Sequence, residues 1–232
     1  MTTTYDVRLL HKREVAEHTM EFTIEKPAGF EYRAGQFGDI VLPPSTGLDA
    51  QHNKHGFSFV SAPFEDTLRM TTLMRASSAF KQAAVKVPDG TMIQLLALWG
   101  NFVLHKKASQ PAVFVTRGIG ITPVRGIIAQ ATHEKAEHAI TLIYANPAPA
   151  QAAYHEELLE LSRRNPHFAY VPVFTNAQGP LTAQTLRSHT HALGDAICYA
   201  SGPISTASEL RGLLLEAGAD EDNIRTEEFE GY

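Results

Sequence analysis

The residues best placed for chemistry in this 232-residue chain are glycine turns set between strands and helices. Thr116-Arg117-Gly118-Ile119-Gly120-Ile121-Thr122-Pro123 follows an apolar strand and opens a helix expected from Pro123. Glycines there let the backbone approach a diphosphate, and a helix N-terminus adds free N–H groups and a positive dipole end. Proline suits a first turn because its missing N–H had no partner to lose. Ser201-Gly202-Pro203 follows a second apolar strand. Ligands of open parallel sheets bind at the carboxyl ends of strands, so the two turns share one edge and could grip one dinucleotide. Alone, Ser201-Gly202-Pro203 reads as an ordinary turn, and the pairing is what gives it meaning.

The first half offers a second pair of segments. His55-Gly56-Phe57-Ser58-Phe59-Val60-Ser61-Ala62-Pro63 alternates aromatic and hydroxyl groups along one strand, and Arg75-Ala76-Ser77-Ser78-Ala79-Phe80 brings a cation and two hydroxyls to a lone helix start. The latter is a second anion-competent place. The bland readings are a barrel-core strand and a surface cap. Two such places in one small protein point to two nucleotide-like cofactors.

Composition narrows the chemistry. One cysteine, Cys198, cannot close an internal disulfide or supply the thiolates of an iron–sulfur cluster. No run of about 18 apolar residues could span a bilayer, so no integral membrane segment is expected. The N-terminus lacks the apolar region of a secretory signal, which makes the cytoplasm the default location. A net charge of −5 argues against a nucleic-acid partner. Lys+Arg against Asp+Glu is 12 to 11 over residues 1–108 but 8 to 14 over residues 109–232, as two domains would show.

The elements follow the same division. Segments 5–11, 19–24, 36–42, 56–61, 67–74 and 91–97 read as β-branched or aromatic strands between turn clusters, with one helix at 77–85 capped by Ser77. A polar loop spans 43–55. Beyond Gln110 strands and helices alternate. Strands fall at 112–116, 140–144, 168–174, 196–200 and 224–226, and helices begin at Pro123 or span 151–162, 182–189 and 206–217. The expected fold is a six-stranded antiparallel Greek-key barrel over 1–107 followed by a parallel-sheet α/β domain over 108–232.

Taken in order, these motifs resemble the ferredoxin–NADP reductase superfamily of two-domain flavin reductases. The resemblance covers nearly the whole chain: Gly35-Gln36-Phe37, His55–Ser58 at the flavin motif, Ser78 and its helix, Gly100-Asn101-Phe102, Gly118–Pro123, Ser201–Pro203 and the terminal Glu227-Glu228-Phe229-Glu230-Gly231-Tyr232. It implies an FAD-binding barrel, with FMN the lesser alternative, and NADH or NADPH as hydride donor. Phe57 and Ser58 would meet the flavin ring, His55 would stand at its phosphate, and Arg75, Ser77, Ser78 and Ala79 would hold its diphosphate, with Gly56, Leu73, Met74 and Phe80 also at the flavin. Thr116, Gly118, Ile119, Gly120, Thr122, Pro123, Gly202 and Pro203 would hold the nicotinamide dinucleotide. Phe229 would cover the flavin, while Ser58, Ser201 and Glu227 would serve the hydride path. No metal is implied.

Departures from the family pattern carry expectations too. His55 stands in place of an arginine, so flavin retention should be weaker or pH-sensitive unless Lys54 or Arg75 compensates. Arg117 puts a bulky cation where a small residue is usual, to meet a phosphate or obstruct one. Ser201 replaces a cysteine, which should slow hydride transfer. Asn146-Pro147-Ala148-Pro149-Ala150 has neither an arginine for a 2′-phosphate nor a carboxylate for a ribose, which favours NADH.

Other signals are weaker. His133 and His138 are five residues apart, wrong for a helical zinc pair, and read as a solvated helix end. His189-Thr190-His191 reads as a surface turn, Glu156, Glu157 and Glu160 as a solvated acidic face, and Trp99 as interface packing. The chain is thus expected to be an FAD-dependent oxidoreductase passing electrons from a nicotinamide to an external redox protein, quinone or small molecule. The alternative is a flavin-holding electron-transfer subunit or redox sensor with little nicotinamide turnover.

Overall fold

In the computed structural model, residues 3–190 and 193–229 are described. The chain opens with β1 (Thr4–Ala16), β2 (Thr19–Glu25), β3 (Phe37–Val41), β4 (Lys54–Ser58), β5 (Thr67–Leu73), α1 (Ala79–Ala84) and β6 (Met92–Trp99). These six strands form one antiparallel sheet in the order β4-β3-β6-β1-β2-β5. A bridge between Phe59 and Met70 joins its two ends into a barrel, and closure removes exposed strand edges. Inside lie Val7, Leu9, Ile24, Phe59, Leu68, Met70 and Leu95. On β2 the polar Glu21 and Thr23 are buried along with Phe22 and Ile24.

The second half contains β7 (Ala112–Arg117), α2 (Ile121–His133), β8 (Ile140–Asn146), α3 (His155–Arg164), β9 (Phe168–Phe174), α4 (Thr175–Gln178), α5 (Ala183–His189), β10 (Ile197–Pro203), α6 (Ile204–Ala217) and β11 (Ile224–Phe229). Its sheet is wholly parallel, in the order β11-β10-β7-β8-β9. Strand β7 shows why. Ala112 and Phe114 pack on one face with α2, while Val113 and Val115 pack on the other with α6. A strand buried on both sides is a near-continuous apolar run.

Several local expectations shift. β1 runs five residues past its expected end, pairing with β2 as far as Ala16 and Thr19. The cap of α1 is Ser78, not Ser77, because the Ser78 side chain accepts from the Lys81 N–H. Helix α2 begins at Ile121, since a tight turn over Gly118–Gly120 already bends the backbone into helical geometry before Pro123. His138 is buried, not solvated, and its Nε2 donates to the His105 carbonyl at 2.8 Å. His191, like Glu230, Gly231 and Tyr232, lies outside the described residues.

The two halves share a packed boundary. Val60, Ala62 and Phe102 belong to the same core as α2 and α3. A Cβ on Gly126 of α2 would sit 3.1 Å from the carbonyl oxygens of both Ser61 and Val60, so that helix lies directly on the barrel backbone. Among the described residues no helix is long and apolar enough to cross a membrane.

Candidate active site

A cleft of about 620 Å³ runs along this boundary. Its barrel wall is made by Phe37, Asp39, Lys54, His55, Gly56, Phe57, Ser58 and Thr71. Its other wall is Thr122 from the start of α2, with Glu227, Glu228 and Phe229 from the end of β11. The expected residues His55, Gly56, Phe57, Ser58, Thr122, Glu227 and Phe229 therefore meet in one place. Phe37 and Glu228 join them from the Gly35-Gln36-Phe37 and terminal motifs, while Asp39 and Thr71 join without a motif to announce them. Phe37 arrives because it pairs with Ser58 across β3 and β4, and Trp99, expected in the interface, instead packs on Phe37 at 5.9 Å between ring centroids.

Phe57 is part of the barrel core, with its ring 5.9 Å from Phe80 and 4.8 Å from His55. His55 also lies edge-on to Phe80 at 5.4 Å. Desolvation first, then the nearby Lys81 charge, lowers its pKa to about 4, against a smaller opposing effect of Asp39. His55 is thus neutral near pH 7, and the expected pH sensitivity of this position falls well below neutrality. Lys54 is 3.3 Å from Asp39.

Glu227 is the carboxyl group of the cleft that departs most from solution behaviour. Burial alone lifts it to about 7. A carboxyl poised there can hold or give up a proton at physiological pH.

The two glycine turns touch. Thr116 Oγ1 donates to the Ser201 carbonyl at 3.0 Å, and Ser201 Oγ donates back to the Gly120 carbonyl at 2.8 Å. A Cβ on Gly120 would lie 2.1 Å from the Ser201 carbonyl oxygen and 2.2 Å from Thr116 Oγ1, so only glycine allows this approach. Ser201 is fully buried by that contact and does not line the cleft. Thr116, Gly118, Ile119, Gly120, Pro123, Gly202 and Pro203 surround the same junction at the carboxyl edge of the sheet.

Arg117 neither meets the cleft nor blocks it. Its guanidinium forms a paired contact with Glu209 of α6 at 2.9 and 3.0 Å. Asn146, at the carboxyl end of β8, is buried with neither side-chain amide atom hydrogen-bonded.

The diphosphate-side residues divide. Arg75, Ser77 and Ala79 are exposed, Leu73 and Met74 half-buried, Ser78 caps α1, and Phe80 faces the barrel core. Lys81, which no motif flagged, is fully buried beside them. Glu157, expected in a solvated face, instead pairs with Arg125 of α2, which also pairs with Glu65 of the barrel. Arg69 links Glu65 to Glu21 at 2.8 and 3.4 Å, so a chain of ion pairs crosses the boundary behind the cleft.

Residues 114–207 match the oxidoreductase NAD-binding domain family. An NADPH oxidoreductase of Mycobacterium tuberculosis is 26% identical over 229 residues, which cover 96% of this chain and 59% of the relative. Ferredoxin–NADP reductase B of Sorangium cellulosum is 23% identical over 245 residues, covering 97% and 98%. The chain spans just over half the length of the first curated relatives, flavohemoproteins among them. A ferredoxin–NADP+ reductase of Neisseria gonorrhoeae, solved with FAD and NADP, superposes with a TM-score of 0.81 at 20% identity. That match covers 97% of this chain and 98% of that one.

Proposed function

We propose that this chain, which has the two-domain fold of the ferredoxin–NADP reductase superfamily and an oxidoreductase NAD-binding domain, is an NAD(P)H-dependent flavoprotein oxidoreductase. It would take FAD against the barrel, accept hydride from a nicotinamide dinucleotide, and pass electrons to an external acceptor. The observation that carries this reading is the cleft itself. Phe57 and Ser58 on one wall face Thr122, Glu227 and Phe229 on the other, an apolar-and-polar slot suited to a flat heteroaromatic ring.

The residues present fit both cofactors. FAD, when bound, supplies hydride acceptance and release of single electrons. The chain's part is to hold and shield. Phe57 gives one wall rigidity because its ring is locked against Phe80 and His55. Ser58 offers a hydroxyl and Glu227 a proton near neutral pH. Phe229 closes the opposite side. The Gly118–Gly120 turn, fastened to Ser201, presents the start of α2 to a diphosphate. Ser201 acts as a positioning residue, because its hydroxyl is engaged by Gly120.

The stretch Asn146-Pro147-Ala148-Pro149-Ala150 after β8 carries no cation for a 2′-phosphate. NADH is therefore the preferred donor. The acceptor is a redox protein, a quinone or another small molecule. The sensor alternative loses one of its supports, since Arg117 is occupied by Glu209 and does not obstruct the turn.

The test is a visible spectrum of the FAD-reconstituted chain, followed by NADH or NADPH added without oxygen. Bleaching of the flavin band, faster with NADH, is expected. A chain that binds no flavin, or a bound flavin that neither nucleotide bleaches, overturns the reading.

A further inference from the structure

Strand pairing orders the barrel wall of the cleft from one end to the other. Phe37 of β3 pairs with Ser58 of β4, Asp39 with Gly56, and Val41 with Lys54. Side chains alternate along a strand and directly paired residues share a face, so Phe37, Ser58, Asp39, Gly56 and Lys54 lie on one face, and all five line the cleft. Asp39 stands in the middle of that row. Its Oδ2 lies 3.3 Å from Lys54 Nζ, while its Oδ1 has no hydrogen-bond partner among the described residues. A Cβ on Gly56 would come within 3.1 Å of Oδ1, so glycine keeps the space beside that oxygen clear. The Asp39 side chain is 19% exposed, neither sealed into the wall nor spread on the surface.

We propose that Asp39 holds the sugar-alcohol chain of the flavin, accepting hydrogen bonds from its hydroxyl groups at Oδ1. The proposal rests on the flavin reading above and assigns to that site a residue outside its motifs. A flavin cofactor presents, in order, a flat ring, a chain of hydroxyl-bearing carbons and a phosphate. The wall presents, in the same order, Phe37 with Ser58, then Asp39 over Gly56, then Lys54. An ionised carboxylate can only accept, so it suits hydroxyl donors and not a phosphate.

Lys54 serves this role in two ways. It fixes Oδ2, so the carboxylate is oriented before the ligand arrives and less side-chain freedom is lost on binding. Its positive charge also offsets the repulsion that Asp39 would exert on a phosphate farther along the wall. A hydroxyl bonded to a carboxylate makes a charge-assisted hydrogen bond, stronger than one between neutral groups.

The experiment measures dissociation constants of the flavin-free full chain for FAD, riboflavin and lumiflavin by quenching of flavin fluorescence. Lumiflavin has the same ring with a methyl group in place of the sugar-alcohol chain. The parent should bind riboflavin more tightly than lumiflavin. Asp39→Ala should weaken FAD and riboflavin alike, by about tenfold, and leave lumiflavin unchanged. Asp39→Asn, which keeps the size and a neutral acceptor, should recover part of that loss. Lys54→Met breaks the same ion pair but keeps the carboxylate, and should hold riboflavin affinity within about twofold. Riboflavin no tighter than lumiflavin in the parent, unchanged riboflavin affinity in Asp39→Ala, or equal weakening of all three ligands in Asp39→Asn overturns the proposal and leaves the flavin reading standing. Failure of the parent to bind any of the three overturns the two together.

Discussion

Tyr154 donates its hydroxyl to Glu21 Oε2 at 2.8 Å, joining the start of α3 to strand β2 across the domain boundary. The same hydroxyl meets Thr71, whose residue also lines the cleft, and the Arg69 guanidinium lies 6.0 Å from the tyrosine ring. Glu21 is buried and accepts from Arg13 and Arg69 as well. Desolvation first, then the neighbouring Glu21 carboxyl group, holds the Tyr154 phenol well above its ordinary pKa, so it remains a donor at neutral pH.

Tyr154→Phe should therefore destabilise the folded chain by about 1–3 kcal/mol, because a buried carboxylate loses one of its donors. Chemical denaturation followed by circular dichroism measures this. A change within about 0.5 kcal/mol, the size usual for an unengaged surface position, would show that the bond does not clasp the domains.

Gly120→Ala tests the junction of the two glycine turns. The added methyl group must push Ser201 or Thr116 aside, at a cost of about 1–3 kcal/mol. Flavin binding should survive, since the barrel is untouched, while the dissociation constant for NADH rises at least tenfold, about 1.4 kcal/mol. Equal loss of flavin and NADH binding would mean that the turns do not serve the dinucleotide separately.

Glu227 predicts a pH dependence of stability. Burial raises its carboxyl from 4.5 to about 7, so between those values the unfolded chain binds fewer protons than the folded one. Stability contributed by this group is present at low pH and falls as pH rises toward 7. Glu227→Gln should melt higher than the parent at pH 8 and match it at pH 4. It should also remove any inflection near pH 7 from the rate of flavin reduction. A parent-like stability profile in the variant would refute the assignment.

His55→Arg alone should not improve flavin binding, because the new cation would sit beside Lys81 and among the rings of Phe57 and Phe80. It should lower the melting temperature of the flavin-free chain. In His55→Arg with Lys81→Met the repulsion is gone, and both stability and FAD affinity should recover most of the loss, a coupling that a double-mutant cycle reads directly. Strictly additive effects would show that the two positions do not interact.

The fold was legible because its signals are local. Apolar strands separated by turn residues, then strands alternating with helices, specify a barrel followed by a parallel sheet wherever they occur. The glycine turns were legible for the same reason, since a close backbone approach demands Gly120 whatever surrounds it. Residues whose meaning depends on a distant partner were not. Glu157 belongs to an acidic helix in sequence and to a bridge with Arg125 and the barrel in space. Arg117 could have met a phosphate or obstructed one, and α6 brings Glu209 to it instead. Lys81 carried no signal, because nothing in a short helix says that its lysine faces inward. Sequence alone determined which strands and helices dominate and where the glycine turns lie, through short-range sterics and apolar periodicity. Tertiary structure decided which charges meet, because Coulombic pairing and desolvation depend on separation and burial, and neither is written in the order of residues.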